Sequence, residues 1–194
     1  MNHLAHLYLA SPGTESLIGN LAGDFVKGKL GDRFTNGVRA GIIQHRRIDA
    51  FTDGHPAVAA FRRVLVPEHG HYARVIADMF FDHFLAVRFE ELAGETLDSF
   101  LARTFTQIDL RADLLPGRLQ SLYPYIRDDR WLQSYASVES IASALQQISF
   151  RFTREPRLET AARHLVDSRP LLERHFDEFF PDVVAFAGAM VERD

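Results

Sequence analysis

Residues 37–53 read GVRAGIIQHRRIDAFTD, and this stretch decides the fold class that we predict. Its apolar residues recur every three or four positions, a spacing that predicts one buried face of an α-helix. His45, Asp49 and Thr52 belong to the same broad face. Side chains four residues apart lie one above the other on a helix, so His45 and Asp49 would face the same neighbours.

Helical periodicity continues along nearly the whole chain, and the alternation typical of strands is almost absent. Pro56 and Pro156 suit the first turns of helices, whereas Pro181 should kink or split the last helix. We expect segment 109–136 to be the least regular part. We predict a compact all-α fold, not a simple four-helix bundle, in which residues 1–194 form a single domain. The predicted helices are 14–28, 37–53, 56–66, 70–92, 96–108, 113–127, 137–151, 156–166 and 168–192.

The composition of the chain excludes several classes of function. The 194 residues are 46% hydrophobic and 25% charged, enough for one sizeable core. The absence of cysteine excludes disulfides and thiolate chemistry, and the net charge of -4 argues against a general nucleic-acid binder. We find neither a signal peptide nor an apolar run that could span a membrane. We therefore expect a cytoplasmic protein with neither nucleic acid nor membrane as a partner.

Three predicted helices each offer a carboxylate, and two of them add an imidazole. Asp24 follows Asn20 by four residues, Asp49 follows His45 by four, and Asp78 precedes the Asp82-His83 pair by four. Apolar residues flank each group, which indicates burial. Buried carboxylates are costly unless they are paired or bound to a cation. Oxygen and nitrogen donors from several helices are typical of a metal site.

Simpler interpretations exist for single members of this set. Asp49 could pair with Arg46 or Arg47, and Asp53 could cap the helix that begins at Pro56. A lone histidine on an apolar face is more often a hydrogen-bonded core residue than a ligand. The combination nevertheless favours a functional site, since the phenylalanines around Asp82-His83 provide no polar partner.

The other histidines and the tryptophan give weaker signals. His3 and His6 could approach the site or lie on the surface. We expect Trp131 to be a buried anchor. His69 and His71 are predicted to be solvated in a turn, and His164 and His175 to be ordinary helix residues. No nucleophile elbow and no phosphate-binding loop of the Walker type occurs in the chain.

Four ordered motifs resemble the bacterial acyl carrier protein phosphodiesterase family. They are Met1-Asn2-His3-Leu4-Ala5-His6-Leu7, Gly19-Asn20-Leu21-x-x-Asp24-Phe25-Val26-Lys27-Gly28, Gly41-Ile42-x-x-His45-Arg46-Arg47-Ile48-Asp49-x-x-Thr52-Asp53 and Asp78-x-x-x-Asp82-His83-Phe84-Leu85. The resemblance covers nearly the whole chain. It implies hydrolysis of the phosphodiester between 4′-phosphopantetheine and a serine of holo-acyl carrier protein.

The resemblance also implies a divalent metal, usually Mn²⁺ with Mg²⁺ or Fe²⁺ as alternatives, and a distant kinship with the all-α HD phosphohydrolases. One departure matters here. HD enzymes place histidine before aspartate in the adjacent pair, whereas this chain has Asp82-His83, so ligand roles cannot be copied by position.

For that reaction we expect Asp24, His45, Asp82 and His83 to bind the metal. We expect Asp49 and Asp78 to orient water or to protonate the leaving oxygen, and Arg46 and Arg47 to hold the phosphate. Asp53 would lie outside the metal's immediate ligands.

Two rival functions stay open at this point. They are an HD-type nucleotide phosphohydrolase and a helical interaction protein without enzymatic activity. Acyl carrier proteins are acidic and so is this chain, so docking needs a local basic patch. The candidates are Arg62 with Arg63, and the group Arg151, Arg154 and Arg157.

Overall fold

The computed structural model describes residues 1–152 and 156–191, and these ranges contain twelve α-helices and no β-strand. The all-α prediction is therefore confirmed. Arg154 lies outside the described residues. The helices are α1 (His3–Tyr8), α2 (Thr14–Ala22), α3 (Asn36–Gly54), α4 (Pro56–His69), α5 (Ala73–Val87), α6 (Phe89–Ala93), α7 (Leu97–Asp109), α8 (Gly117–Asp128), α9 (Trp131–Ser134), α10 (Val138–Ser149), α11 (His164–Asp167) and α12 (Arg169–Val191).

Short 3₁₀ helices account for most differences from the predicted boundaries. Helix α2 ends at Ala22, and Gly23–Phe25 forms a 3₁₀ turn, so Asp24 does not continue the α-helix of Asn20. The predicted helix 70–92 is divided into a 3₁₀ turn, α5 and α6. The predicted helix 156–166 is mainly a 3₁₀ helix, Leu158–Arg163, followed by α11. Segment 109–136 contains α8 and α9, whereas residues 26–35 contain no helix, so segment 109–136 is not the least regular part.

Pro181 does not divide the last helix, which runs unbroken through 23 residues. A proline inside a helix removes one backbone hydrogen bond. Here the flanking Phe179 and Val183 are fully buried in the core. Packing of this apolar face holds both halves of α12 in register.

Two glycines allow α2 and α3 to cross in close contact. A Cβ atom on Gly19 would lie 2.7 Å from the Cα of Gly41, and one on Gly41 would lie 2.6 Å from the carbonyl oxygen of Ser16. Real Cβ atoms do not approach so closely, and only glycine leaves room for the two backbones. Helix α3 begins beside this crossing, where the hydroxyl of Thr35 accepts the N–H of Val38 at 3.3 Å.

Helix α5 passes through the hydrophobic core. Its Phe80, Phe81 and Phe84 are fully buried, and Phe61 of α4 packs against all three rings. The buried apolar residues form one cluster that extends from Met1 to Met190. This core fixes α3 and α5, the two helices that carry most of the predicted site residues. No helix in the described ranges has the length and apolarity that a membrane crossing requires.

The close crossing of α2 and α3 at Gly19 and Gly41 predicts that a larger side chain at either glycine will destabilise the fold. Gly41→Ala should lower the free energy of unfolding by about 1–3 kcal/mol or more, because the methyl group would overlap backbone atoms of α2 that cannot move aside. Urea unfolding followed by circular dichroism measures this change. Gly188→Ala in α12 is the matched control. No described atom outside the backbone of its own helix lies within 4 Å of a Cβ at this position, so the substitution should be neutral or slightly stabilising. Equal effects of the two substitutions would contradict the assignment.

Candidate active site

The imidazole of His45 is the centre of the site. It is buried on α3, and its Nδ1 donates to the carbonyl oxygen of Asn20 at 2.8 Å. This hydrogen bond directs Nε2 toward two carboxylates, 3.2 Å from Asp49 and 3.6 Å from Asp24. Gly23 makes the arrangement possible, since any Cβ there would overlap the imidazole ring.

The charges of this cluster stabilise one another. Burial lowers the pKa of His45, but the adjacent carboxylates of Asp24 and Asp49 raise it to about 9. Burial raises the pKa of Asp24, yet the neighbouring imidazole of His45 lowers it to about 2. The pKa of Asp49 is also lowered, because its bonds to His45 and His6 outweigh burial. Without a metal, the cluster therefore holds an imidazolium between two carboxylates.

A second imidazole lies directly on the first. The rings of His6 and His45 are stacked with centroids 3.6 Å apart, and His6 Nε2 lies 3.1 Å from Asp49. Burial, and then the charge of His45, lower the pKa of His6 to about 3, so this ring is neutral. Three ligand atoms lie within 4.8 Å of one another, one each from His6, His45 and Asp49. This is the spacing of side chains that can share a metal ion.

Further carboxylates continue from the cluster along α3 and α5. Asp78 lies 3.1 Å from the amino nitrogen of Met1, and burial raises its pKa. Asp53 accepts a hydrogen bond from Arg62 at 2.9 Å and pairs with Arg74. Arg62 also lies 3.8 Å from Asp78, so it links the two carboxylates. Asp53 does not cap α4, because His55 occupies that position and accepts the N–H of Ala57.

A cavity of about 580 Å³ opens onto these groups. Its walls differ in chemistry. Four carboxylates line it, from Asp24, Asp49, Asp53 and Asp78. Three exposed arginines also line it, Arg74, Arg118 and Arg151. Apolar side chains complete the wall, among them Phe25, Val75, Met79, Leu122, Trp131 and Ile148. The cavity can therefore hold an anion beside the carboxylate–imidazole cluster and an uncharged chain beyond it.

The structure brings together Asp24, His45, Asp49 and Asp78 of the predicted site, but it gives Asp82 and His83 other partners. Asp82 is fully buried, and it accepts the backbone N–H groups of Asn2, Leu4 and Ala5 at 3.3, 2.8 and 3.2 Å. Its carboxylate thus caps the N-terminus of α1 from another helix. Burial raises the pKa of Asp82 to about 7, although these three donors oppose the shift.

His83 has a structural contact of its own. Its Nδ1 donates to the carbonyl oxygen of Tyr135 at 2.8 Å, which ties α5 to the residue after α9. Within the described ranges, neither His83 nor Asp82 belongs to a group of three or more ligand atoms at metal-site spacing. Adjacent residues on a helix point about 100° apart, which is why the pair serves two neighbours.

Arg46 and Arg47 are also occupied elsewhere. Arg46 donates to the carbonyl oxygen of Val26 at 2.9 Å, and Arg47 lies over the ring of Phe186. Neither of them lines the cavity. Arg46 instead holds the segment that follows Asp24.

Several residues of the site were left open by the sequence or not expected. His3 and His6 both approach it from α1, and His3 stacks on Phe25 with an edge contact to Trp131. Trp131 is only partly buried and lines the cavity. The i,i+3 spacing of the two histidines was the available signal, but six residues are too short to predict a helix. Nothing in the sequence distinguished Arg74 and Arg118 from other arginines.

Comparison with known proteins supports an enzymatic interpretation. The family model described as acyl carrier protein phosphodiesterase matches residues 1–183. The chain is 38% identical to the acyl carrier protein phosphodiesterase of Serratia proteamaculans over 95% of this chain and 96% of that protein. It is 34% identical to that of Yersinia enterocolitica over 100% of this chain and 97% of that protein. No solved structure matches, so kinship with HD domains stays a prediction.

The helical fold and the carboxylate–imidazole cluster facing a cavity define an all-α hydrolytic enzyme. The chain belongs to the acyl carrier protein phosphodiesterase family, a family of phosphoric diester hydrolases. The predicted family resemblance is therefore confirmed.

The raised pKa of His45 predicts a pH-dependent stability. The pKa of His45 in the folded protein, about 9, exceeds the ordinary value of 6.5. The contribution of protonated His45 to the free energy of unfolding is therefore fully present below pH 6.5 and is lost as pH rises through about 9. In chelator-treated protein, His45→Gln should remove at most about 3 kcal/mol of unfolding free energy near pH 6 and much less near pH 10. Urea unfolding at the two pH values tests this.

His71→Gln is the control for that comparison, since His71 is exposed. Its effect should be small at both pH values. A difference between wild type and His45→Gln that stayed constant from pH 6 to pH 10 would contradict the assigned charge state.

Proposed function

We propose that the protein hydrolyses the phosphodiester joining 4′-phosphopantetheine to a serine of holo-acyl carrier protein, giving apo-carrier protein and free 4′-phosphopantetheine. The cavity carries this proposal. It places arginines and an apolar wall beside the cluster centred on His45, and this combination suits a phosphate attached to a long, mostly uncharged arm. Family membership supports the same reaction.

A divalent metal fits the residues around His45. Metal-binding histidines usually donate their second ring nitrogen to a carbonyl or carboxylate, as His45 does to Asn20. We assign Asp24, His6, His45 and Asp49 to metal binding, in place of a set that includes Asp82 and His83. Mn²⁺ is the ion we propose, in line with the family resemblance and with the mixed oxygen and nitrogen donors. When bound, such an ion polarises a phosphoryl oxygen and makes a water molecule more acidic.

The protein's own side chains would hold the substrate in place. Arg74 and Arg118 replace Arg46 and Arg47 as candidates for binding the non-bridging phosphate oxygens, because Arg74 and Arg118 line the cavity and Arg46 and Arg47 do not. The aromatic and aliphatic side chains around Trp131 and Leu122 would cover the pantetheine arm and exclude water from it.

Asp78 is the proposed general acid. Its pKa is raised by burial, so it retains a proton more readily than the carboxylates beside His45. From the cavity wall it can deliver that proton to the leaving serine oxygen. Arg62 positions Asp78 and Asp53 by lying between them.

Substitution of the cluster should abolish the reaction in a folded protein. His45→Ala and Asp24→Asn should each lower kcat more than about a hundredfold, since the metal's transition-state stabilisation amounts to several kcal/mol. The mass of holo-carrier protein incubated with enzyme and Mn²⁺ reports the product directly. His71→Ala serves as the control and should keep wild-type kcat. Retention of more than about a tenth of kcat by either cluster variant would refute the role of that residue.

The same assay separates the rival activity. A nucleotide phosphohydrolase would release phosphate from nucleotides and leave the carrier at its holo mass. Nucleotide turnover without a change in carrier mass would therefore overturn the proposed substrate.

We assign docking of the acidic carrier to Arg151, an exposed arginine that lines the cavity. Arg62 is a poor candidate, because its side chain is only 17% exposed and pairs with Asp53. Arg151→Glu should raise KM at low ionic strength and weaken the salt dependence of KM, with kcat less affected. Arg63→Glu is the matched control, since Arg63 is exposed but does not line the cavity. Equal changes of KM in the two variants would reject Arg151 as a docking residue.

A further inference from the structure

A second histidine–carboxylate cluster lies outside the cavity. It joins the C-terminal end of α4, which carries Glu68 and His69, to His164 at the start of α11. One ligand atom from each of these residues lies within 4.8 Å of the other two. None of the three lines the cavity of the active site. His69 was predicted to be solvated, and this prediction is wrong, because its side chain is buried. His164 lies on a helix, as predicted.

The imidazoles of His69 and His164 are both buried. His69 is 8% exposed and His164 is 7% exposed, and their rings meet edge to face with centroids 5.6 Å apart. Among the residues that the structure describes, Nε2 of neither ring has a hydrogen-bond partner, and His164 Nε2 lies 3.6 Å from Glu68, beyond hydrogen-bond distance. Buried polar atoms in folded proteins are nearly always bonded. A cation bound between these two nitrogens and the carboxylate of Glu68 would satisfy both of them.

The surroundings of the cluster suit a cation. Glu68 is exposed and pairs through one carboxylate oxygen with Arg163, while the other oxygen lies near Nε2 of His164.

We propose that Glu68, His69 and His164 form a second metal site that binds Zn²⁺ through two imidazole nitrogens and one carboxylate oxygen. Zinc accepts this mixture of donors in tetrahedral geometry, with water in the fourth position. The ion would connect α4 to the segment from Leu158 to Asp167 and so stabilise the C-terminal part of the fold. This role does not depend on the proposed function.

Counting bound zinc in a protein without the active-site cluster tests the proposal. His45→Ala provides that background, because it removes the central ligand of the first site. Chelator-treated protein is dialysed against limiting Zn²⁺, and metal per chain is measured by mass spectrometry. We expect about one zinc per chain in His45→Ala, and its loss when His164→Gln is added.

A matched control is His71→Gln in the same background, since this exposed histidine lies two residues from His69. It should keep the zinc. Thermal unfolding gives a second readout: Zn²⁺ should raise the Tm of His45→Ala and of its His71→Gln derivative, but not that of its His164→Gln derivative. The His164→Gln change is conservative, and circular dichroism checks that the protein remains helical.

Two outcomes would overturn the site. One is the absence of bound zinc from a folded His45→Ala protein. The other is equal zinc content and equal Tm increase with and without His164→Gln. Carrier hydrolysis is not measured in either case, so failure here is distinct from failure of the proposed reaction.

Discussion

The close crossing of α2 and α3 is the constraint on which the candidate active site depends. Gly19 and Gly41 bring the two backbones together, and the ring of His45 then lies against Gly23 with Asn20 as its acceptor. A wider separation would move Nε2 away from Asp24 while leaving it beside Asp49 on its own helix. The geometry of the cluster is thus set by backbone packing several residues away from the charges.

Much of the fold was predictable because it follows from local periodicity. Helix α3 was predicted as 37–53 and is observed as Asn36–Gly54, since a single apolar face and a threonine cap define it. The predicted helix boundaries were wrong where contacts with distant parts of the chain determine them. The 3₁₀ turn at Asp24 depends on the glycine beside it fitting the imidazole of His45, and the continuity of α12 through Pro181 depends on buried phenylalanines. Neither contact is visible in local sequence.

Only part of the site was predicted, because local spacing again reveals contacts within one helix but not contacts between distant helices. Spacing along one helix identified the pair of His45 and Asp49, and they do lie together. Spacing could not show that the buried Asp82 is satisfied by three backbone N–H groups from a helix nearly eighty residues away in sequence. A carboxylate among apolar residues requires a partner. The sequence leaves open whether that partner is a cation or the end of another helix.

Asp82 has a consequence for the order in which the protein folds. Helix α1 contains six residues, far fewer than an isolated helix needs to persist in water. Its first N–H groups find their acceptor only after α5 has formed and the chain has closed a long loop. His6, which α1 carries to His45, therefore reaches the cluster only when α1 has packed against α5, and local opening of α1 would dismantle the cluster. Assembly of the candidate active site is thus coupled to a long-range contact that is itself part of the core packing.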